Sequence, residues 1–88
     1  MALYLSKGKV ITEVDPPVMT HATPKSVTVN VRTGTALVNL GPISGQTILL
    51  VAGESMNWST LAAADFVEQM TVTAIAAGSS VLVAWEHF

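Results

Sequence analysis

The sequence predicts an all-β fold, a small antiparallel β-sandwich or jelly-roll-like barrel with at most one short helical turn. Three observations carry that expectation. Half of the 88 residues are hydrophobic, and they fall in short runs of β type. One run alternates apolar and polar residues without error, and Gly, Pro and Ser separate the runs. Only 11% of the residues are charged, where an ordinary soluble domain carries roughly a quarter. Strands apolar on both faces, with so little charge to keep them in water, imply that another copy of the chain covers part of the surface.

Residues 1–25 read as a proline-bounded N-terminal arm or edge strand, and residues 26–88 as the sandwich core. Lys9-Val10-Ile11-Thr12-Glu13-Val14 suits a strand, which Asp15-Pro16-Pro17 stops; Thr23-Pro24-Lys25 punctuates again. Proline has no amide donor and holds its neighbour extended, so a central strand is excluded here.

Ser26-Val27-Thr28-Val29-Asn30-Val31-Arg32 is the alternating run, rich in β-branched residues, with one face buried and one wet. Thr33-Gly34 follows, then Thr35-Ala36-Leu37-Val38-Asn39-Leu40, so residues 26–40 are expected to form a β-hairpin. Gly41 to Gln46 is a turn-rich loop. Thr47-Ile48-Leu49-Leu50-Val51-Ala52 is apolar on both faces, the pattern of a central strand covered from two sides. Gly53 breaks it, and Glu54 to Ser59 alternates again with Met56 and Trp58 on one side.

Thr60 to Met70 carries two periods at once. Ala63, Phe66, Val67 and Met70 have helix-face spacing with Ser59 as a cap, whereas period two leads into Met70, Val72 and Ala74 facing inward. One or two helical turns at most are expected around residues 60–65, followed by a strand to about Ala76. Ala77-Gly78-Ser79 reads as a second hairpin turn. Ser80 to Glu86 closes the domain as a strand apolar on both faces, whose edge and second face need a partner.

Composition narrows the function. A domain of this size buries only about 60–65% of the surface its unfolded chain exposes, and without cysteine it has no disulfide to reinforce it. Oligomerisation is the remaining common route. Net charge is −2, and Lys7, Lys9, Lys25 and Arg32 are not gathered on one element, so nucleic acid is not expected as a partner. The longest apolar stretch, Ile48 to Ala52, falls far short of the ~20 residues that span a bilayer. The N-terminus lacks a basic leader with an apolar stretch of signal length, so folding in a cytoplasm is expected.

No catalytic, cofactor or metal residue is expected. Gly53-Glu54-Ser55-Met56-Asn57 differs from the hydrolase elbow at the second glycine, and the residues after it alternate like a strand. The only histidines, His21 and His87, show no spacing that would pair either with Ser55. Glu86 and His87 are adjacent and point to opposite faces of a strand. Glu13 and Asp15 share a face, but a paired-carboxylate catalyst needs a cleft for which the chain has little room. Trp58 is in phase with Met56, and Trp85 with Val81 and Val83, which places both tryptophans in a core or subunit interface ahead of a ligand platform.

The cysteine-free chain, the proline-bounded arm, the Val/Thr hairpin from Ser26 to Leu40, the Thr47-to-Ala52 strand and the closing Gly78-Ser79-Ser80-Val81-Leu82-Val83-Ala84-Trp85 strand together resemble small bacteriophage virion proteins of the decoration, cement or head and tail accessory type. The resemblance implies a homotrimer, assembled in the host cytoplasm and resident in the virion, that binds or stabilises a capsid or tail. An interface with its own copies or with that larger assembly is expected to use Tyr4, Val10, Val14, Leu50, Trp58, Leu82 and Trp85. A carbohydrate- or receptor-binding β module is the alternative expectation, and a small enzyme subunit ranks last.

Overall fold

The computed structural model describes residues 5–41, 45–60 and 65–87. Eight strands follow one another: β1 (Leu5–Ile11), β2 (Val18–Met19), β3 (Ser26–Thr33), β4 (Thr35–Leu40), β5 (Thr47–Val51), β6 (Ser55–Ser59), β7 (Met70–Ala74) and β8 (Ser80–His87). They form two four-stranded sheets, a first in the order β1-β8-β3-β6 and a second in the order β2-β7-β4-β5. Every pairing is antiparallel, with β1 on β8, β2 on β7, β3 on β6 and β4 on β5. This is the order produced by rolling up one long hairpin, which makes the all-β domain a jelly-roll sandwich.

Alternation builds the core. Val27, Val29 and Val31 of β3 and Val81 and Val83 of β8 point inward from the first sheet; Ala36, Val38, Leu50, Met70, Val72 and Ala74 meet them from the second. Each valine so buried contributes on the order of 1.5–3 kcal/mol relative to exposure. Among the described residues no buried side-chain nitrogen or oxygen lacks a hydrogen-bond partner. Thr20, for example, is buried with its hydroxyl accepting from the Met70 amide at 3.0 Å, while its carbonyl accepts from Gln69 Nε2 at 3.0 Å. The Lys25 ammonium, also buried, donates to the Asp65 carbonyl.

Residues 26–40 are not a hairpin. β3 lies between β8 and β6, β4 lies between β7 and β5, and Gly34 carries the chain from one sheet to the other. The same correction holds at Ala77-Gly78-Ser79, where β7 and β8 belong to different sheets. A tight Gly turn permits either outcome. Here both flanking strands have a dry face, and crossing between sheets lets those faces meet across the core.

Thr47 to Val51 is an edge strand and not a central one, so only its Ile48 and Leu50 side faces the interior. Conversely β8 is central, and its two edges are filled within the fold by β1 and β3. The N-terminal stretch supplies the edge strand β1 and the two-residue β2. Ile11 and Val18 sit in the core, so this segment is built into the sandwich. The helical turn expected at residues 60–65 falls largely on residues 61–64, outside the described ones, and residues 65–69 run without helix into β7. A register shift between Val31 and Thr33 leaves Arg32 unpaired and exposed at the end of β3.

Candidate functional site

The outer face of the second sheet differs from the rest of the surface by its chemistry. β2, β4, β5 and β7 contain no ionisable residue, whereas Lys7, Lys9, Arg32, Glu86 and His87 all lie on strands of the first sheet. Side chains that pair in register share a face, which arranges this outer surface in rows. Met19, Thr71, Asn39 and Thr47 form one row; Thr73, Leu37 and Leu49 form the next. Ile75, whose amide donates to the Thr35 carbonyl at 3.1 Å, forms a third with Thr35 and Val51. Met19 is 61% exposed and Leu49 56%, and Val51 and Ile75 are close behind.

The polar members of this face are threonine and asparagine, which hydrogen-bond without charge. Thr47 Oγ1 donates to Asn39 Oδ1 across the strands at 3.0 Å. Contiguous exposed leucine, valine and isoleucine, rimmed by such neutral groups, have the composition of a contact surface.

The outer face of the first sheet is polar around Asn57. Its amide nitrogen donates to Thr28 Oγ1 at 2.7 Å, to the Val27 carbonyl at 3.2 Å and to Ser26 Oγ at 3.3 Å. Val10 and Leu82 stand opposite one another on that face, so the structure brings together two of the residues expected at an interface. Val14 is 84% exposed on a turn fastened by Asp15, whose Oδ2 accepts from the Thr12 amide at 2.8 Å and whose own amide donates back to the Thr12 carbonyl at 3.0 Å. Asp15 is thereby engaged in the turn.

Leu50 requires correction. At 4% exposure it packs inside the sandwich and cannot meet a partner; the residues its strand presents outward are Leu49 and Val51. Trp58 and Trp85 flank Val27 on the inner side of the first sheet, half-buried against the core. Tyr4 lies outside the described residues. Met19, Leu37, Leu49, Val51 and Ile75 were not among the expected contacts. On a strand apolar on both faces, choosing Leu50 for the core is what sends Leu49 and Val51 outward, and that choice depends on the rest of the sandwich.

The two histidines meet each other. The rings of His21 and His87 stack with centroids 3.9 Å apart and planes 5° from parallel, and His21 Nδ1 accepts from the Thr23 amide at 3.1 Å. Ser55 sits on β6 opposite Asn30. Among the described residues, no three of His, Cys, Asp and Glu come together where they could hold a metal ion.

The fold and this surface together define a small jelly-roll module with an apolar core and one sheet whose strands hold no ionisable residue. No family model and no curated protein matches the sequence. The chain is similar to the crystal structure of HppE in its cobalt(II) form with substrate, at a TM-score of 0.56 and 19% identity over 96% of this chain. It spans 43% of the HppE chain, and at that identity the likeness concerns the fold alone.

Proposed function

We propose that this chain is a structural module that assembles with copies of itself and attaches to a larger protein shell, the role of a bacteriophage virion protein on a capsid or tail. The observation that carries this reading is the second sheet, whose strands hold no ionisable residue and whose outer face exposes Met19, Leu49, Val51 and Ile75 in neighbouring rows. Such a face loses little by desolvation when it is covered, because no charge has to leave water. Many copies binding only the assembled state of a shell stabilise that state by mass action, and several weak contacts per particle add avidity. Light scattering coupled to gel filtration across micromolar concentrations tests the first requirement. A mass that rises to a defined oligomer is expected, the trimer implied by the resemblance being one form it could take. A monomer at every concentration overturns the reading.

A further inference from the structure

We propose that β5 is the edge through which two copies of this chain associate, pairing antiparallel across a two-fold axis at Leu49; this deepens the reading of the chain as self-associating and rests on it. Two sheets of four leave four outer strands: β1, β6, β2 and β5. Folded proteins guard such edges with charge, proline or brevity. β1 carries Lys7 and Lys9, β2 is two residues long, and β6 is serine- and asparagine-bearing on its outer side. β5, Thr-Ile-Leu-Leu-Val, has no charge, no proline and no bulge.

The hydrogen bonds of the neighbouring ladder show which main-chain groups of β5 point away from β4. Leu40 N donates to Gln46 O at 2.8 Å, one step beyond the β4–β5 ladder. In an antiparallel ladder bonded pairs alternate, so Val38–Ile48 and Ala36–Leu50 are bonded, while Asn39–Thr47, Leu37–Leu49 and Thr35–Val51 are not. The other side of β4 agrees, since Thr35 and Gly41 use their main-chain groups toward β7, accepting from Ile75 and donating to Gln69. The N–H and C=O groups of Thr47, Leu49 and Val51 therefore point away from the sheet.

Those residues form a self-complementary set. With the axis at Leu49, the two Leu49 residues face one another and Thr47 of each copy faces Val51 of the other. All are residues with outward main-chain groups, so every pair falls in the bonded class. No charge meets its own image on the axis, an arrangement that would be unfavourable for any strand carrying one. The product is a single eight-stranded sheet on which Leu37 and Leu49 of both copies make one apolar stripe.

Glu54 limits the strength of this contact. Its Oε1 accepts from the Val51 amide at 2.8 Å, and its own amide donates to the Val51 carbonyl at 3.0 Å, so the outward groups of Val51 are already engaged. A five-residue edge is also only about 17 Å long, so strand pairing alone supplies a small part of the roughly 1,200–2,000 Å² that stable interfaces bury. The pairing is therefore of modest affinity, seen as association in the micromolar range, and is strengthened where many copies are held side by side.

Amide hydrogen exchange at low and high protein concentration tests the assignment, with Ile48 and Leu50 as internal references because their amides already bond β4. The Leu49 amide, whose partner group on the other copy is not engaged by Glu54, is expected to slow by about tenfold or more as the oligomer forms. Leu49→Pro removes an amide that the β4 ladder does not use, and is expected to abolish association while keeping the β circular dichroism. Leu49→Lys serves the same purpose if the proline variant unfolds, and Glu54→Ala is expected to tighten association several-fold by releasing the Val51 amide, the main-chain bond to the Val51 carbonyl being kept. An oligomer whose Leu49 amide exchanges as fast as in the monomer, or that survives a folded Leu49 variant, overturns the β5 edge and leaves self-association standing. A wild-type monomer at every concentration overturns both.

Discussion

Gly34 and Ser79 touch at the point where the chain crosses twice between the sheets: a Cβ built on Gly34 would lie 2.6 Å from Ser79 Cα and 2.7 Å from Ser79 Cβ. Gly34 has φ +78°, the left-handed region. Ser79 is buried, with its Oγ accepting from the Thr35 amide at 3.1 Å and donating to the Ala76 carbonyl at 2.6 Å. Thr33 Oγ1 adds a bond to the Gly78 carbonyl at 2.8 Å. Both crossovers are thus fixed against each other, and this contact holds one end of the jelly roll closed.

Gly34→Ala is therefore expected to cost more than its backbone alone. The left-handed conformation accounts for about 1–2 kcal/mol, and forcing a methyl into Ser79 adds about 1–3 kcal/mol. Gly78→Ala is the control, because Gly78 has φ +77° with nothing within 4 Å of its Cβ position. Urea unfolding of the two variants separates the terms. Equal losses would mean that the Gly34–Ser79 contact contributes nothing.

The same corner marks the limit of what the residues reveal in order. Strand positions follow from period two, since Val27, Val29, Val31, Val81 and Val83 alternate regardless of partner. Partner choice does not. Thr33-Gly34-Thr35 has the composition of a hairpin turn, and only the presence of β8 and β6 beside β3, and of β7 and β5 beside β4, turns it into a crossover. Leu50 illustrates the consequence at the candidate site. Its strand offers two apolar faces, and long-range register decides that Leu50 faces Ala36 in the core while Leu49 faces water.

Deleting residues 1–16 is expected to unfold the domain. The deletion removes β1, whose register with β8 runs from Leu5↔His87 to Ile11↔Val81, together with the fully buried Ile11. Loss of a side chain of that size from a core typically costs about 2–5 kcal/mol, and β8 would gain an open, apolar edge. Circular dichroism and solubility of the truncated chain check this. A folded, soluble product would show that β1 is dispensable to the sandwich.

The His21–His87 stack is expected to couple the β2–β3 loop to the end of β8. A parallel aromatic pair contributes about 0.5–1.5 kcal/mol beyond its buried area, so a double-mutant cycle of His21→Ala and His87→Ala should return a coupling energy in that range. Thermal unfolding of the four proteins at neutral pH gives the number. Strict additivity would assign the two rings no mutual stabilisation.

Leu49 and Leu50 are neighbours with opposite expected phenotypes, which makes them the sharpest separation of folding from assembly. Leu50 is in the core, so Leu50→Ala leaves a cavity and is expected to cost about 2–5 kcal/mol. Leu49 is more than half exposed on the neutral face, so Leu49→Ser is expected to stay within about 0.5 kcal/mol of the parent in urea unfolding at low concentration. Its effect should appear in the mass measurement instead, as dissociation at concentrations where the parent is associated. If Leu49→Ser lowers the unfolding midpoint as much as Leu50→Ala does, both side chains serve the fold of one chain, and the outer face of the second sheet loses its claim as the contact surface.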